Sequence, residues 1–329
     1  MKKIGLLLPF HYKLLSVAAI LDVLETTNRV CEERGEERPF EIVIVQTHGQ
    51  ISEHSNTFHG FPVETILKEN QFDCVLIPSF SSGDLGQVIE SNKVFIPWIL
   101  EQAGNGADVC SFCTGAFLLA ATGLLNDHAA TTHVDAGEAF IRLFPKVHLH
   151  LDDVVTESGQ VFTSGGSTNT FYLLLFLVEK YCGRETAIRV AKIFSIDMDR
   201  TTQSYFGTFQ PQHTHGDELV LQVQQEIEQQ YKDIATIEDV LKDFPASRRN
   251  IVRRFTNATG MPPIEYLQRI RIERAKKLLE KGGRSISEIV YETGYTDPKS
   301  FRKVFTKLVG MTPLDYKNKF SRQAAFSDM

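Results

Sequence analysis

No stretch of this chain approaches the ~18 to 20 consecutive apolar residues that a membrane-spanning helix requires. The run FYLLLFLV at 171–178 is too short, so a membrane partner is excluded. Cysteine is sparse, with five in 329 residues. An odd number scattered through a large chain does not build a secreted disulfide framework, which places the protein in reducing cytoplasm. The opening MKKIGLLLPFHYK has two lysines and a short apolar run, but Pro9, His11 and Lys13 interrupt it and no small-residue cleavage site follows. It reads as a first β-strand rather than a leader. Repeats at solenoid periods and low-complexity tracts are also missing.

What is present suffices for two cores: 42% of the residues are hydrophobic, and a chain of this length ordinarily divides into two domains. The net charge of -6 hides a strong asymmetry. Residues 236–320 carry 18 Lys and Arg against 10 Asp and Glu, whereas residues 1–235 carry 16 against 30. A basic module is joined to an acidic one, and positive charge gathered on one module is the electrostatic signature of a nucleic-acid binder.

From Lys3 to about Gly166, short aliphatic runs (KIGLLLP, EIVIVQ, CVLIPSF) alternate with helical patterns over 17–29 and 94–102. This alternation implies crossover connections and a mostly parallel sheet covered on both faces. Residues 147–163 read as a hairpin turning at Ser158-Gly159, and helices over 168–181 and 185–196 close the domain. The polar segment 197–217 has linker composition. Val220, Val223, Ile227 and Tyr231 then form one apolar stripe, on a helix read as leading into the second domain or supporting dimer contacts.

In 236–257, Ile237, Val240, Leu241 and Phe244 share one helical face. Pro245 breaks the pattern, and Ser247 caps a second helix whose Ile251 and Phe255 point inward while Arg249 and Arg253 point outward. This is a helix-turn-helix, with arginines placed for the major groove. The pattern recurs over 286–309. Ile286, Ile289 and Val290 form an inner face, Gly294 the turn, and Asp297-Pro298 the next helix start. Phe301, Val304, Phe305 and Leu308 form its core stripe, opposite Lys299, Lys303 and Thr306. A continuous helix over 264–280 joins the two units; its ~17 residues span ~25 Å.

The motifs SRRNIVRRF, TGMPPIEYLQRIRIERAKKLL and ISEIVYETGYTDPKSFRKVFTKLVGMTPLDYK closely resemble the AraC/XylS family of regulators. The resemblance implies that Arg249, Asn250, Arg253, Lys299 and Lys303 face base edges, with Ser247, Arg248, Arg254, Arg302 and Lys307 nearer phosphates and Ser300 within the same DNA-binding set. It further implies double-stranded promoter DNA as partner, a homodimer, and RNA polymerase as a further partner. Leu241 and Val290 stand where the family usually has a small Ala, which implies slightly wider helix packing. Pro245 replaces a usual Gly, and Pro298 a common polar residue that could read DNA.

In the acidic part, VCSFCTGAFLLAATGLL (109–125) has the strand-turn-helix form of a nucleophile elbow, with Cys113 at the turn, where a helix N-terminus favours thiolate. With VFTSGG, Arg200 and Gln203, this region resembles the ThiJ/PfpI group. The resemblance implies a flavodoxin-like, class I glutamine amidotransferase-like α/β sandwich. Hydrolytic members carry His after the cysteine and an acid after the first strand, whereas Thr114 and Ser16 stand here. No catalytic residue is therefore assigned, and Cys113 and His133 are read as a pocket thiol and its partner for a small-molecule or redox signal. The alternative is a cysteine-dependent amidase or hydrolase fused to the DNA module.

Other constellations carry less. Cys110 and Cys113 form a lone C-x-x-C. His148 with His150, and His213 with His215, are read as ordinary histidines, so no metal and no cofactor are expected. TSGGSTN (163–169) lacks the lysine of a phosphate loop. The expected organisation is an α/β domain at 1–205, a linker at 206–218, an all-α double helix-turn-helix domain at 219–320 and a tail at 321–329.

Overall fold

The computed structural model describes residues 1–47, 57–66, 70–81, 83–213 and 215–321. It separates into two compact units, Met1–Gln203 and Ser204–Met329. The expected tail falls, apart from Ser321, outside the described residues. Among those described, no helix is long and apolar enough to cross a membrane.

The first unit is α/β. Its strands are β1 (Lys2–Leu7), β2 (Phe40–Gln46), β3 (Thr57–Phe58), β4 (Phe61–Thr65), β5 (Cys74–Ile77), β6 (Asp108–Phe112), β7 (Ala129–Ala130), β8 (His148–Leu149), β9 (Val155–Ser158) and β10 (Val161–Ser164). The helices are α1 (Leu14–Glu33), α2 (Leu85–Asn92), α3 (Phe95–Gly104), α4 (Gly115–Ala121), α5 (Gly137–Leu143), α6 (Thr170–Cys182) and α7 (Arg184–Ile193). Eight strands form one sheet in the order β3-β4-β2-β1-β5-β6-β10-β9. Its interior pairs are parallel, and antiparallel hairpins finish both edges.

Side chains alternate across the sheet, as strand geometry requires. Ile4, Leu6, Ile42, Ile44, Cys74, Leu76, Cys110 and Phe112 pack with α1, α6 and α7, whereas Leu7, Val43, Val45, Val75, Ile77 and Val109 pack with α3 and α4. Both faces are buried, so the strands read as unbroken apolar runs rather than alternating ones. The hairpin at Ser158-Gly159 forms as read, with Gly159 at φ 62°.

The second unit is helical: α8 (Glu218–Gln230), α9 (Ile237–Leu241), α10 (Arg248–Thr259), α11 (Pro263–Lys281), α12 (Ile286–Glu292), α13 (Pro298–Val309) and α14 (Pro313–Phe320). Two cores form along α11. Tyr266, Leu267 and Ile270 pack with α8, α9 and α10, while Ile272, Ala275 and Leu279 pack with α12, α13 and α14.

Val220, Val223 and Ile227 are fully buried in the first of these cores, so of the two roles expected for α8 it takes that of leading into the second domain, with its apolar stripe inside the unit. Within the 206–218 segment Phe209 packs against the first of these cores and Asp217 caps α8 through Val220 N–H, while Tyr205, just before the segment, is buried in the second. Aromatic residues in a polar stretch supply the anchoring that composition alone concealed.

Arg271, only 9% exposed, donates to the carbonyls of Tyr231 (2.8 Å) and Ile234 (2.7 Å), while its guanidinium lies 5.3 Å from the Tyr295 ring centroid. Gly294, at φ 81°, forms the second turn, and a Cβ there would lie 2.5 Å from the Lys232 carbonyl oxygen. Gly294→Ala should therefore lower stability by at least about 2 kcal/mol, from backbone strain and overpacking together. Gly283→Ala, where φ is 78° but the space is open, should cost only about 1 to 2 kcal/mol. Urea denaturation followed by far-UV circular dichroism checks this, and equal losses would contradict it.

Candidate functional site

The two helix-turn-helix units are built alike. Thr236 with Asp239 and Ser285 with Glu288 form capping boxes before α9 and α12. In each box the side chains satisfy end N–H groups that the helix cannot. This T/S-x-x-D/E spacing was present in the sequence as a start signal. Ser247 caps α10 by accepting from Asn250 N–H, and Asp297 caps α13 by accepting from Lys299 and Ser300 N–H. Gly260 and Gly310 end the two helices in left-handed conformation.

From the caps onward, equivalent residues lie fifty apart: Arg249 and Lys299, Ile251 and Phe301, Arg253 and Lys303, Phe255 and Phe305, Tyr266 and Tyr316. Ile251, Phe255, Phe301 and Phe305 are buried, whereas Ser247, Arg248, Arg249, Asn250, Arg253, Lys299, Ser300, Arg302, Lys303 and Lys307 are exposed. Leu241 and Val290, though larger than Ala, are buried in their cores.

The cations differ in freedom. Arg254 donates through Nε (2.9 Å) and Nη2 (2.6 Å) to Asp217, and Arg248 donates to Glu238 (2.6 Å). Two of the arginines expected near phosphates are thus held by carboxylates of their own unit. By contrast, the side chains of Arg249, Arg253, Lys299, Arg302, Lys303 and Lys307 make no hydrogen bond or ion pair among the described residues.

The acidic unit brings together its own set. Cys113 sits at the turn after β6 with φ 55° and is fully buried. Its N–H donates to the Ser164 carbonyl (2.9 Å), and its carbonyl accepts from Thr132 Oγ1 (3.0 Å). Strain at an elbow marks a site the surrounding structure has to hold. Thr114 is structural: its hydroxyl donates to the Phe80 carbonyl (2.7 Å) and accepts the Phe80 N–H (3.0 Å). Ser16 accepts from Ser79 N–H (3.0 Å), so its hydroxyl serves the backbone.

The thiolate expected at Cys113 is not favoured. Burial pushes the thiol above its ordinary range, and this outweighs the pull of the Lys13 charge and the Thr114 hydrogen bonds. Burial likewise lowers His133, assisted by Lys13 and opposed by Asp135, so its imidazole is neutral at neutral pH. His133 Nδ1 accepts the Asp135 N–H (3.2 Å).

Gln203 is the residue whose importance local pattern underrated. It is 1% exposed. Its Oε1 accepts from Gly166 N–H (2.8 Å) and Asn169 Nδ2 (2.7 Å). Its Nε2 faces Thr131 Oγ1, Thr132 O, Leu151 O and Asp153 O at 3.0–3.3 Å. A Cβ at Gly165 would lie 2.1 Å from Oε1, which explains the glycine in TSGG. Ser164 Oγ, Asn169 Oδ1 and Thr170 Oγ1 are buried without a hydrogen-bond partner among the described residues.

Three of the four histidines singled out in the sequence have other partners. His150 pairs with Asp153 (3.2 Å), His213 with Glu228 (2.9 Å) and His215 with Gln224 (2.7 Å). Among the described residues, no three His, Cys, Asp or Glu side chains converge to hold a metal ion. Cys110 faces Cys74, at 3.7 Å between sulfurs.

An α/β unit with a buried cysteine elbow is thus followed by paired helix-turn-helix units with basic outer faces. The chain belongs to the DJ-1/PfpI family, whose model matches residues 7–180, and it also carries a helix-turn-helix domain of the AraC type, matched over 241–319. It is similar to the HTH-type transcriptional regulator GbdR of Pseudomonas aeruginosa, 25% identical over 74% of this chain and 65% of that protein. It is also similar to the HTH-type transcriptional regulator GlxA of Rhizobium meliloti, 25% identical over 63% and 64%. The chain thus matches slightly less than two thirds of the length of these relatives. A crystal structure of a candidate transcriptional regulator from Vibrio parahaemolyticus shares the fold, with TM-score 0.50 and 23% identity over 58% of this chain and 98% of that one.

With its proton held, Cys113 should stay unalkylated when the native protein meets iodoacetamide at neutral pH. The folded state keeps a proton that an unfolded thiol releases near ~8.5, so this group's contribution to stability is intact at neutral pH and declines as pH rises past that value. Rapid stoichiometric labelling of Cys113, read by mass spectrometry, would contradict the burial argument.

Proposed function

We propose that this protein is a sequence-specific DNA-binding transcriptional regulator of the AraC type, acting on promoter DNA in the cytoplasm as a homodimer and engaging RNA polymerase there. The observation that carries the proposal is the repeated placement of exposed cations, without ion-pair partners among the described residues, opposite a buried stripe: Arg249 and Arg253 on α10 and Lys299 and Lys303 on α13. Such helices present hydrogen-bond donors to base edges, while Arg302 and Lys307 supply charge for phosphates. For Arg248 and Arg254 the phosphate role requires exchanging a carboxylate partner for DNA.

The α/β unit is read as the sensor, with a small-molecule effector held near Cys113 and His133. Gln203 supports this reading, since one side chain ties the Thr132 segment, which bonds Cys113, to the Gly166 segment beside His133 and stands at the chain's exit from the unit. A protonated thiol disfavours the redox alternative, because oxidation follows thiolate character. The same thiol, with Thr114 and Ser16 committed to backbone, disfavours a hydrolase, which needs a base within reach of its nucleophile.

In a mobility-shift titration of the full chain, Arg253→Ala should cost about 1 to 3 kcal/mol on a matched site and relax preference at one base pair. Lys307→Ala should weaken all sequences alike and reduce the salt slope by about 1. Absence of sequence-specific binding at any salt concentration would end the proposal.

A further inference from the structure

The fifty-residue correspondence between the two units allows position-by-position comparison of their outer faces, and the faces are not equivalent. Arg249 and Arg253 are matched by Lys299 and Lys303, and Asn250 by Ser300. A guanidinium presents a planar fork that bonds guanine O6 and N7 together, and a carboxamide does the same for adenine N6 and N7. An ammonium is a point charge on a flexible stem.

Local geometry widens this difference. The Asn250 side chain has no hydrogen-bond partner among the described residues, whereas Ser300 Oγ already donates to Asp297 (2.7 Å). The cap of α10 is the neutral Ser247, while that of α13 is the carboxylate of Asp297, which also takes the N–H groups of Lys299 (3.1 Å) and Ser300 (2.9 Å). Pro298 fills the first helical position of α13 and brings no side-chain donor. Unneutralised charge runs the other way. On α10 two of four arginines are bound by Glu238 and Asp217, but the side chains of Lys299, Arg302, Lys303 and Lys307 on α13 make no ion pair among the described residues.

We propose that base discrimination is concentrated in α10, through Arg249, Asn250 and Arg253, while α13 chiefly anchors the phosphate backbone. Each copy of the protein therefore reads an asymmetric site. One half is strongly specified, with guanine at the arginine positions and adenine at the asparagine position, and the other half tolerates substitution. This rests on the DNA-binding reading above and assigns the work within it.

Selection of bound duplexes from a randomised pool by the full chain, followed by sequencing, tests the assignment. The wild type should enrich a site with one informative and one weakly informative half. Arg249→Lys with Arg253→Lys should lower the preference for guanine in the informative half by about tenfold and leave the other half unchanged. Lys299→Arg with Lys303→Arg should sharpen the weak half. Lys303→Ala should reduce affinity for all sequences together and lower the salt slope by about 1. Two equally informative halves, or flattening of the informative half by Lys303→Ala rather than by the arginine substitutions, would overturn the assignment while leaving the DNA-binding reading intact. Enrichment of no sequence at all would overturn that reading and the assignment with it.

Discussion

The guanidinium of Arg271, buried between two helix-turn-helix units, is the contact on which the helical unit's geometry depends. A desolvated cation is costly, by several kcal/mol, unless its donors are satisfied. Here two main-chain carbonyls just before α9 accept from Nε and Nη2, two of its nitrogens, and the Tyr295 ring from the second turn lies over the guanidinium. Burial lowers the arginine's proton affinity and pushes Tyr295 up to about 12, so the pair stays charged and neutral respectively at neutral pH. Gly294 lets the second turn approach Lys232 closely enough for this packing. One side chain on α11 thereby fixes the start of the first unit against the turn of the second.

The α/β unit shows a comparable economy around Gln203. An amide nitrogen has two hydrogens, yet four oxygens surround this one, so its bonds are shared among the 131–132, 151 and 153 segments. Removing such a group would leave several buried carbonyls short of donors, each at a cost of about 1 to 3 kcal/mol. The elbow cysteine is held within the same set of segments. A strained, buried, protonated thiol is poorly placed for nucleophilic attack.

Much of this was legible in the sequence. Unbroken apolar runs gave the buried strands, and the stripes of Ile251 with Phe255 and Phe301 with Phe305 gave α10 and α13, because a 3.6-residue period leaves little choice of inward face. The cations opposite those stripes followed from the same geometry. What escaped local pattern depends on distant partners. The carboxylates that hold Arg248 and Arg254 lie 10 and 37 residues away, and the burial of Arg271 and Gln203 comes from segments far along the chain. Cys113 illustrates competition between two local effects: the helix N-terminus was visible in the sequence, but the desolvation that outweighs it was not. Tyr205 and Phe209 sat in linker-like composition, and their anchoring role required knowing the cores they complete.

If α11 and Arg271 hold the two units in fixed register, the protein should engage DNA as a rigid reader of two segments. Hydroxyl-radical footprinting of the full chain on its selected duplex measures this directly. The account predicts two protected segments per copy, on one face of the duplex and about one helical turn apart, roughly 10 base pairs. A single protected segment per copy, or two whose spacing varies freely between bound sequences, would contradict it.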